Sequence, residues 1–335
     1  MRRLLPLAVT VAVLGVILAR VDRAALWANL KATRPAPFAW ALVLFVPQNF
    51  ISALRWKMMA GRFITIGWRD AVGMILGSQS LNIILPSKMG DLTKAVFLAR
   101  SGALDLSRAG SLVIFEKALD LAALCLWAVL GAAGLFKFAP GRPDAPRLAA
   151  LALLTATIGL AVIALVAVLY FLPPGRLSSL RRGAAAPSGG PHRLARLLAS
   201  GREVMQTLQR AEARRGSLVT LSIILWGLHL LQIRCFFGSL NAETPWLAFA
   251  SLTPLAIFVG LIPISLFGVG TRDAALIFLF TPYQPAEVMA GVGFYVSLRY
   301  IVPAIGGLPF LHYYLTLTRS AAADERPGAA GESQR

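Results

Sequence analysis

Apolar residues arrive along this chain in blocks, and the blocks come in two kinds. Unbroken ones cover about 4–20, 37–55, 109–136, 148–172, 217–239 and 286–315. Each approaches the ~20 residues a helix needs to cross the ~30 Å hydrocarbon core of a bilayer, so each predicts a full span. Two further blocks, about 70–100 and 247–281, are interrupted in matching ways. The first interruption reads Leu81-Asn82-Ile83-Ile84-Leu85-Pro86-Ser87-Lys88-Met89-Gly90-Asp91-Leu92-Thr93-Lys94. The second reads Leu261-Ile262-Pro263-Ile264-Ser265-Leu266-Phe267-Gly268-Val269-Gly270-Thr271-Arg272-Asp273. In both, an apolar run meets a Pro, then a Gly, then basic and acidic residues, before a second short apolar run. Irregular backbone at membrane depth is stable only where protein buries it or where it lines a wet cavity. Paired Gly/Pro interruptions in two halves of a chain point to a binding site made from discontinuous helices.

The distribution of basic residues sets the expected topology. Segment 173–216 holds nine arginines (176, 181, 182, 193, 196, 202, 210, 214 and 215) against Glu203 and Glu212. By the positive-inside rule it is cytoplasmic. An ordinary span at 70–86 would put it outside if the N-terminus is inside. A re-entrant hairpin at 70–100 resolves the conflict: 55–70 (Arg55, Lys57, Arg62, Arg69) and 87–108 (Lys88, Lys94, Arg100, Arg108) then lie inside, or are reached from inside. The loops 21–36, 137–147 and 241–245 lie outside. Region 247–281 then enters from the opposite face. The alternative is two full spans in each broken region. The resulting expectation is an all-α polytopic membrane protein, with about six full spans plus two re-entrant hairpins in an inverted-topology repeat. Residues 1–318 form a single integral membrane domain, with 1–136 as the first half and 148–318 as the second. Segment 173–216 is a cytoplasmic basic linker, including an amphipathic surface helix at about 193–210, and 319–335 is a disordered cytoplasmic tail.

Composition agrees. The chain is 57% hydrophobic and 14% charged, against about 25% charged in soluble domains. Its mean hydropathy is +0.69. The net charge of +18 reads as loop arginine facing anionic lipid rather than a nucleic-acid surface. Met1-Arg2-Arg3 and the run that follows resemble a signal peptide, but no small-x-small cleavage site follows, so a retained span is expected. Cys125 and Cys235 lie in apolar runs and read as small buried hydrophobes. Trp56, Trp68 and Trp246 flank spans and fit an interfacial aromatic belt.

Ionisable residues at membrane depth are candidates for function. Glu116 and Asp120 stand at i and i+4 on one helix face, beside Lys117. Their available cations are Lys94, Arg272 and Arg299, which would form either a charged lining for a headgroup path or a structural ion pair. Lys88, Lys94 and Arg272 sit beside the breaks. Helices restarting after Gly90 and Gly270 point backbone N–H groups at the break, a setting suited to an anion, and Gly268 belongs to the same candidate headgroup path. Asp91 and Asp273 read either as part of that site or as N-terminal caps. Gln79, Ser80 and Asn82 either face a headgroup or hold the hairpin to its neighbours. His229 is expected to make an interhelical hydrogen bond, and His312 to anchor at an interface. No metal-ligand spacing, Walker loop or GxSxG motif is present, so no cofactor and no catalytic constellation are expected.

Asn82-Ile83-Ile84-Leu85-Pro86 with Gly90-Asp91, Glu116-Lys117-x-x-Asp120, and Ile262-Pro263-Ile264-Ser265 with Gly268-Val269-Gly270-Thr271-Arg272-Asp273 together resemble the lysylphosphatidylglycerol synthase transmembrane region, a flippase-like family. The resemblance extends over roughly 5–315. Two positions depart from the family pattern: Glu116-Lys117 stands for Glu-Arg, and Arg272-Asp273 for Arg-Glu. The resemblance implies an integral membrane protein related to the part of lysylphosphatidylglycerol synthases that moves the aminoacylated lipid across the bilayer. Together with the loop charges and the basic residues beside the breaks, the expectation is a lipid translocase in the bacterial inner membrane, with both termini cytoplasmic and an anionic membrane lipid as partner. Lys94 and Arg272 would hold the phosphate from opposite sides of a cleft. Family members that lysylate lipid carry a separate soluble domain, which is not expected in these 335 residues. The alternatives are an intramembrane transferase using Asp91, Glu116 or Asp120 as base, and a non-catalytic partner of a lipid-pathway enzyme. A second copy of the chain is a further candidate partner.

Overall fold

The computed structural model describes residues 5–84, 90–138 apart from 101 and 103, 145–171, and 212–324 apart from 262, 263, 266 and 267. Every regular element among them is a helix: α1 (Leu5–Arg20), α2 (Arg23–Lys31), α3 (Pro35–Val43), α4 (Phe45–Ala60), α5 (Trp68–Ile84), α6 (Leu92–Arg100), α7 (Leu106–Phe138), α8 (Ala145–Phe171), α9 (Glu212–Ser239), α10 (Trp246–Leu261), α11 (Thr271–Phe280) and α12 (Ala286–Asp324). This is an all-α membrane protein. Three stretches, Pro35–Ala60, Gly216–Ser239 and Ala286–Leu311, are long and apolar enough to cross a bilayer. The 33 residues of α7 and 27 of α8 also exceed the ~20 that a crossing takes.

Local sequence explains the boundaries. Pro47 lacks an N–H, and its ring crowds the carbonyl four residues earlier, so the 35–60 stretch breaks at Leu44 into α3 and α4. α4 then runs on to Ala60 and carries Arg55 and Trp56 into the core. The loop expected at 21–36 contains α2 instead, capped by Asp22, whose carboxylate accepts from the N–H groups of Ala24 (2.9 Å) and Ala25 (3.1 Å). α12 continues through residues 319–324, the start of the expected disordered tail. Its Ala321-Ala322-Ala323 run favours helix strongly enough to extend it. Likewise α9 begins at Glu212, inside the expected linker. The surface helix expected at 193–210 and the remainder of the tail lie outside the described residues.

Both interrupted blocks form two-armed hairpins, α5–α6 and α10–α11. The arms have 17, 9, 16 and 10 residues, each short of the ~20 a helix needs to span. The hairpins close in the same register. A Cβ at Gly90 would lie 2.4 Å from the Asn82 nitrogen, and one at Gly268 would lie 2.4 Å from the Gly260 oxygen. Thr93 Oγ1 donates to the Gly90 carbonyl at 2.6 Å, as Thr271 Oγ1 does to that of Gly268 at 3.3 Å. Asn82, Gly90, Thr93 and Lys94 thus match Gly260, Gly268, Thr271 and Arg272. Packing is reciprocal too: α5 lies along α12 while α10 lies along α7, and the short arms α6 and α11 pack on α7 and α12.

The apolar core divides accordingly. One cluster, including Trp56, Met59, Met74 and Leu98, joins α4 to α7. The other, including Phe236, Phe237, Phe249 and Phe280, joins α9 to α12. Outer faces carry Val46, Phe50, Ile158, Leu165, Phe278 and Ile305, whereas Arg55, Lys94, Glu116, Arg272 and Asp273 are buried. Apolar outside and ionic inside is the arrangement a bilayer requires.

Gly268 has φ +73° as well as its close approach to Gly260. Gly268→Ala is therefore expected to destabilise the protein by about 1–3 kcal/mol. A lowered Tm in detergent, followed with a thiol-reactive dye on buried Cys125, checks it.

Candidate functional site

A cavity of about 650 Å3 opens between α4, α5, the start of α6, α7, α9 and α12. Its wall is ionic along one side. Lys94, the third residue of α6, extends to Glu116 Oε2 on α7 at 2.6 Å and lies 3.5 Å from Asp91 Oδ1. Lys117 reaches Asp91 Oδ2 at 2.8 Å and Asp120 Oδ2 at 3.8 Å. Arg55 Nη1 donates to Asp120 Oδ1 at 2.7 Å. The six side chains form one chain of alternating sign, Arg55–Asp120–Lys117–Asp91–Lys94–Glu116. Burying charge at membrane depth is tolerable when each ion is paired in this way. The indole of Trp56 supports Lys94 from below, with Nζ 4.8 Å from the ring centre.

On the facing side Arg299 of α12 lines the cavity with Tyr300. Its Nε donates to Gln232 Oε1 at 3.1 Å. Gln232, itself buried, also accepts from Gln48 Nε2 at 3.2 Å and donates to the Ala41 carbonyl at 2.8 Å, joining α9 to α3 and α4. Gln79 and Asn82 of α5 and His229 and Trp226 of α9 complete the polar lining.

The second break forms a separate cluster. Arg272 donates to Asp273 Oδ1 from Nε (2.9 Å) and Nη2 (2.5 Å), and from Nη2 to the Gly293 carbonyl (3.1 Å) and Ser297 Oγ (2.9 Å) on α12. Asp273 Oδ2 accepts from the Gly270 N–H at 3.0 Å, so Asp273 does cap the start of α11.

A family model described as the lysylphosphatidylglycerol synthase TM region matches residues 3–307. The chain belongs to this family. It is thus a multi-pass, lipid-related integral membrane protein. No curated protein matches it. The matched residues of this TM-region protein contain both hairpins, the cavity and the Arg272 cluster.

Of the site residues expected from the sequence of this TM-region chain, Gly90, Asp91, Lys94, Glu116 and Asp120 come together, and Arg299 joins them across the cavity. Gly268, Gly270, Arg272 and Asp273 sit at the second break and do not line the cavity themselves, although the Arg272 guanidinium lies 5.8 Å from the ring of Tyr300, which does. Lys94 and Arg272 therefore do not face each other across it: each is engaged by the long helix after its own hairpin. Lys88 lies outside the described residues. The carboxylates of α7 pair with Lys94, Lys117 and Arg55, not with Arg272 or Arg299. Arg55, read from sequence as a loop base, is 1% exposed, because α4 runs one turn past it. Trp56 is fully buried under Lys94 rather than in an aromatic belt. The polar residues of α5 hold it to its neighbours: Gln79 donates to Asn49 Oδ1 at 3.0 Å and Ser80 Oγ to the Ala304 carbonyl at 2.6 Å, while Gln79 and Asn82 also line the cavity. Arg234 stacks on Trp246 and Phe249, at 5.4 and 5.5 Å.

Proposed function

We propose that this protein is a lipid translocase, and that the cavity between the first hairpin, α7 and α12 carries the headgroup while acyl chains stay in the bilayer. The observation that supports this reading most is the ionic lining itself: six paired charges and Arg299 around one cavity, in a bundle whose outer faces are apolar. Such a lining replaces the water that a polar headgroup would otherwise lose in crossing hydrocarbon. The reciprocal hairpin packing supports an inverted repeat, with broken helices presenting polar groups near mid-membrane. The arginine-rich segment 173–216 supports an inner-membrane topology with both termini cytoplasmic. Removing Arg55 from the loop count leaves Lys57, Arg62 and Arg69 to mark the 55–70 side as inside.

The test is translocation in reconstituted vesicles. With fluorescent phosphatidylglycerol in both leaflets, dithionite added outside bleaches only the outer pool of protein-free vesicles. Vesicles holding this protein are expected to bleach beyond that pool. Bleaching that stops at the protein-free level overturns the reading. A lipid inventory of a deletion strain separates the enzyme alternative: a missing lipid species favours a transferase, whereas an unchanged inventory with altered leaflet exposure favours translocation.

A further inference from the structure

The charges around the cavity leave a remainder, and the remainder selects a ligand class. The alternating chain of six holds three cations and three carboxylates, so it sums to zero. Arg299 is a seventh charge and stands outside that chain. Its hydrogen bond goes to neutral Gln232, and among the described residues no carboxylate is within ion-pair distance of it. Arg55 is incompletely used as well. Nη1 is on Asp120, but Nε and Nη2 have no acceptor, although the side chain is 1% exposed. A buried guanidinium nitrogen without an acceptor is costly, and both arginines line the same cavity. His229 and Tyr300, the other titratable groups on its wall, add no negative charge at neutral pH.

An acceptor-rich anion supplies what is lacking. A phosphate diester carries one negative charge and two non-bridging oxygens, a match for guanidinium donors. Every carboxylate in the cavity already holds a cation, so no site is left for an ammonium. We infer that, within the translocase reading, the cavity selects an anionic phosphate headgroup through Arg55 and Arg299. It disfavours zwitterionic lipid and, more strongly, aminoacylated phosphatidylglycerol, whose lysyl group makes the headgroup net positive. The lipid this site takes is then not the aminoacylated one in the family's description.

Calorimetric titration of purified protein in a neutral detergent tests this. The probes are short-chain phosphatidylglycerol, phosphatidylcholine and lysyl-phosphatidylglycerol, together with inorganic phosphate. Phosphatidylglycerol is expected to bind at least about tenfold more tightly than the other two lipids, and inorganic phosphate to compete with it. Arg299→Gln, which breaks no ion pair, is expected to remove the preference, and Arg299→Lys to restore part of it. Equal affinity for the three lipids, preference for lysyl-phosphatidylglycerol, or an unchanged preference in Arg299→Gln overturns the inference. Binding of inorganic phosphate without phosphatidylglycerol overturns it too, and marks a site for a soluble anion. Selective binding without translocation in vesicles leaves the inference standing and removes the translocase reading. Translocation without selectivity does the reverse.

Discussion

Lys94→Met is expected to cost about 3–5 kcal/mol, the penalty for leaving one partner of a buried pair uncompensated. Lys94 is 1% exposed and holds Glu116, itself 5% exposed, at 2.6 Å. Asp91 keeps Lys117 at 2.8 Å, so the stranded charge is that of Glu116. Global stability is ordinarily about 5–15 kcal/mol, so the loss is large, and the variant is expected to yield little folded protein. Lys94→Met with Glu116→Gln removes both charges and is expected to recover most of the stability, giving a favourable coupling in the double-mutant cycle. The same double variant is expected to translocate poorly, because the cavity wall loses two members of its ionic chain. Tm in detergent and bleaching in vesicles therefore separate the two roles. A Lys94→Met protein as stable as the wild type would mean that the pair contributes nothing.

Much of this was legible in the sequence, and the misses have specific causes. Glu116 and Asp120 on one stripe predicted a buried ionic site, and the matching Gly/Pro interruptions with the loop-charge conflict predicted two hairpins. What the sequence hid was partner identity. Arg55 sits at the end of an apolar block, where a single sequence cannot tell a loop base from one drawn inward. Only the course of α4 past Pro47 to Ala60 decides it, and Trp56 follows Arg55 inward for the same reason. α2 had a readable signal, Asp22 ahead of Ala24, Ala25 and Leu26, but a nine-residue helix falls below what spans reveal. Gln48 and Gln232 lie far apart in sequence, and their bond depends wholly on how α4 meets α9. The expected placement of Lys94 opposite Arg272 across one cleft set two residues of equivalent position face to face. Equivalent positions in two similarly closed hairpins share matching surroundings, which does not bring them to one cleft.

That distinction sets the second large effect. Were Arg272 one jaw of a phosphate clamp, its removal would leave a folded but inactive protein. Its surroundings predict loss of folding first. The guanidinium, 2% exposed, binds Asp273 and two groups of α12, Gly293 and Ser297. With Arg272→Met, Asp273 keeps only the Gly270 N–H at 3.0 Å for a full negative charge, and α11 loses its polar tie to α12. The expected cost is again about 3–5 kcal/mol. Arg272→Lys keeps the charge but cannot reach three acceptors in a fork, so only partial stability is expected. Arg272→Met with Asp273→Asn removes the stranded charge while an amide oxygen can still cap Gly270, and it is expected to melt above the Arg272→Met single variant. Because this cluster does not line the cavity, whatever double variant folds is expected to retain the phosphatidylglycerol preference of the wild type. A stable Arg272→Met protein that has lost that preference would move Arg272 from the scaffold into the headgroup site.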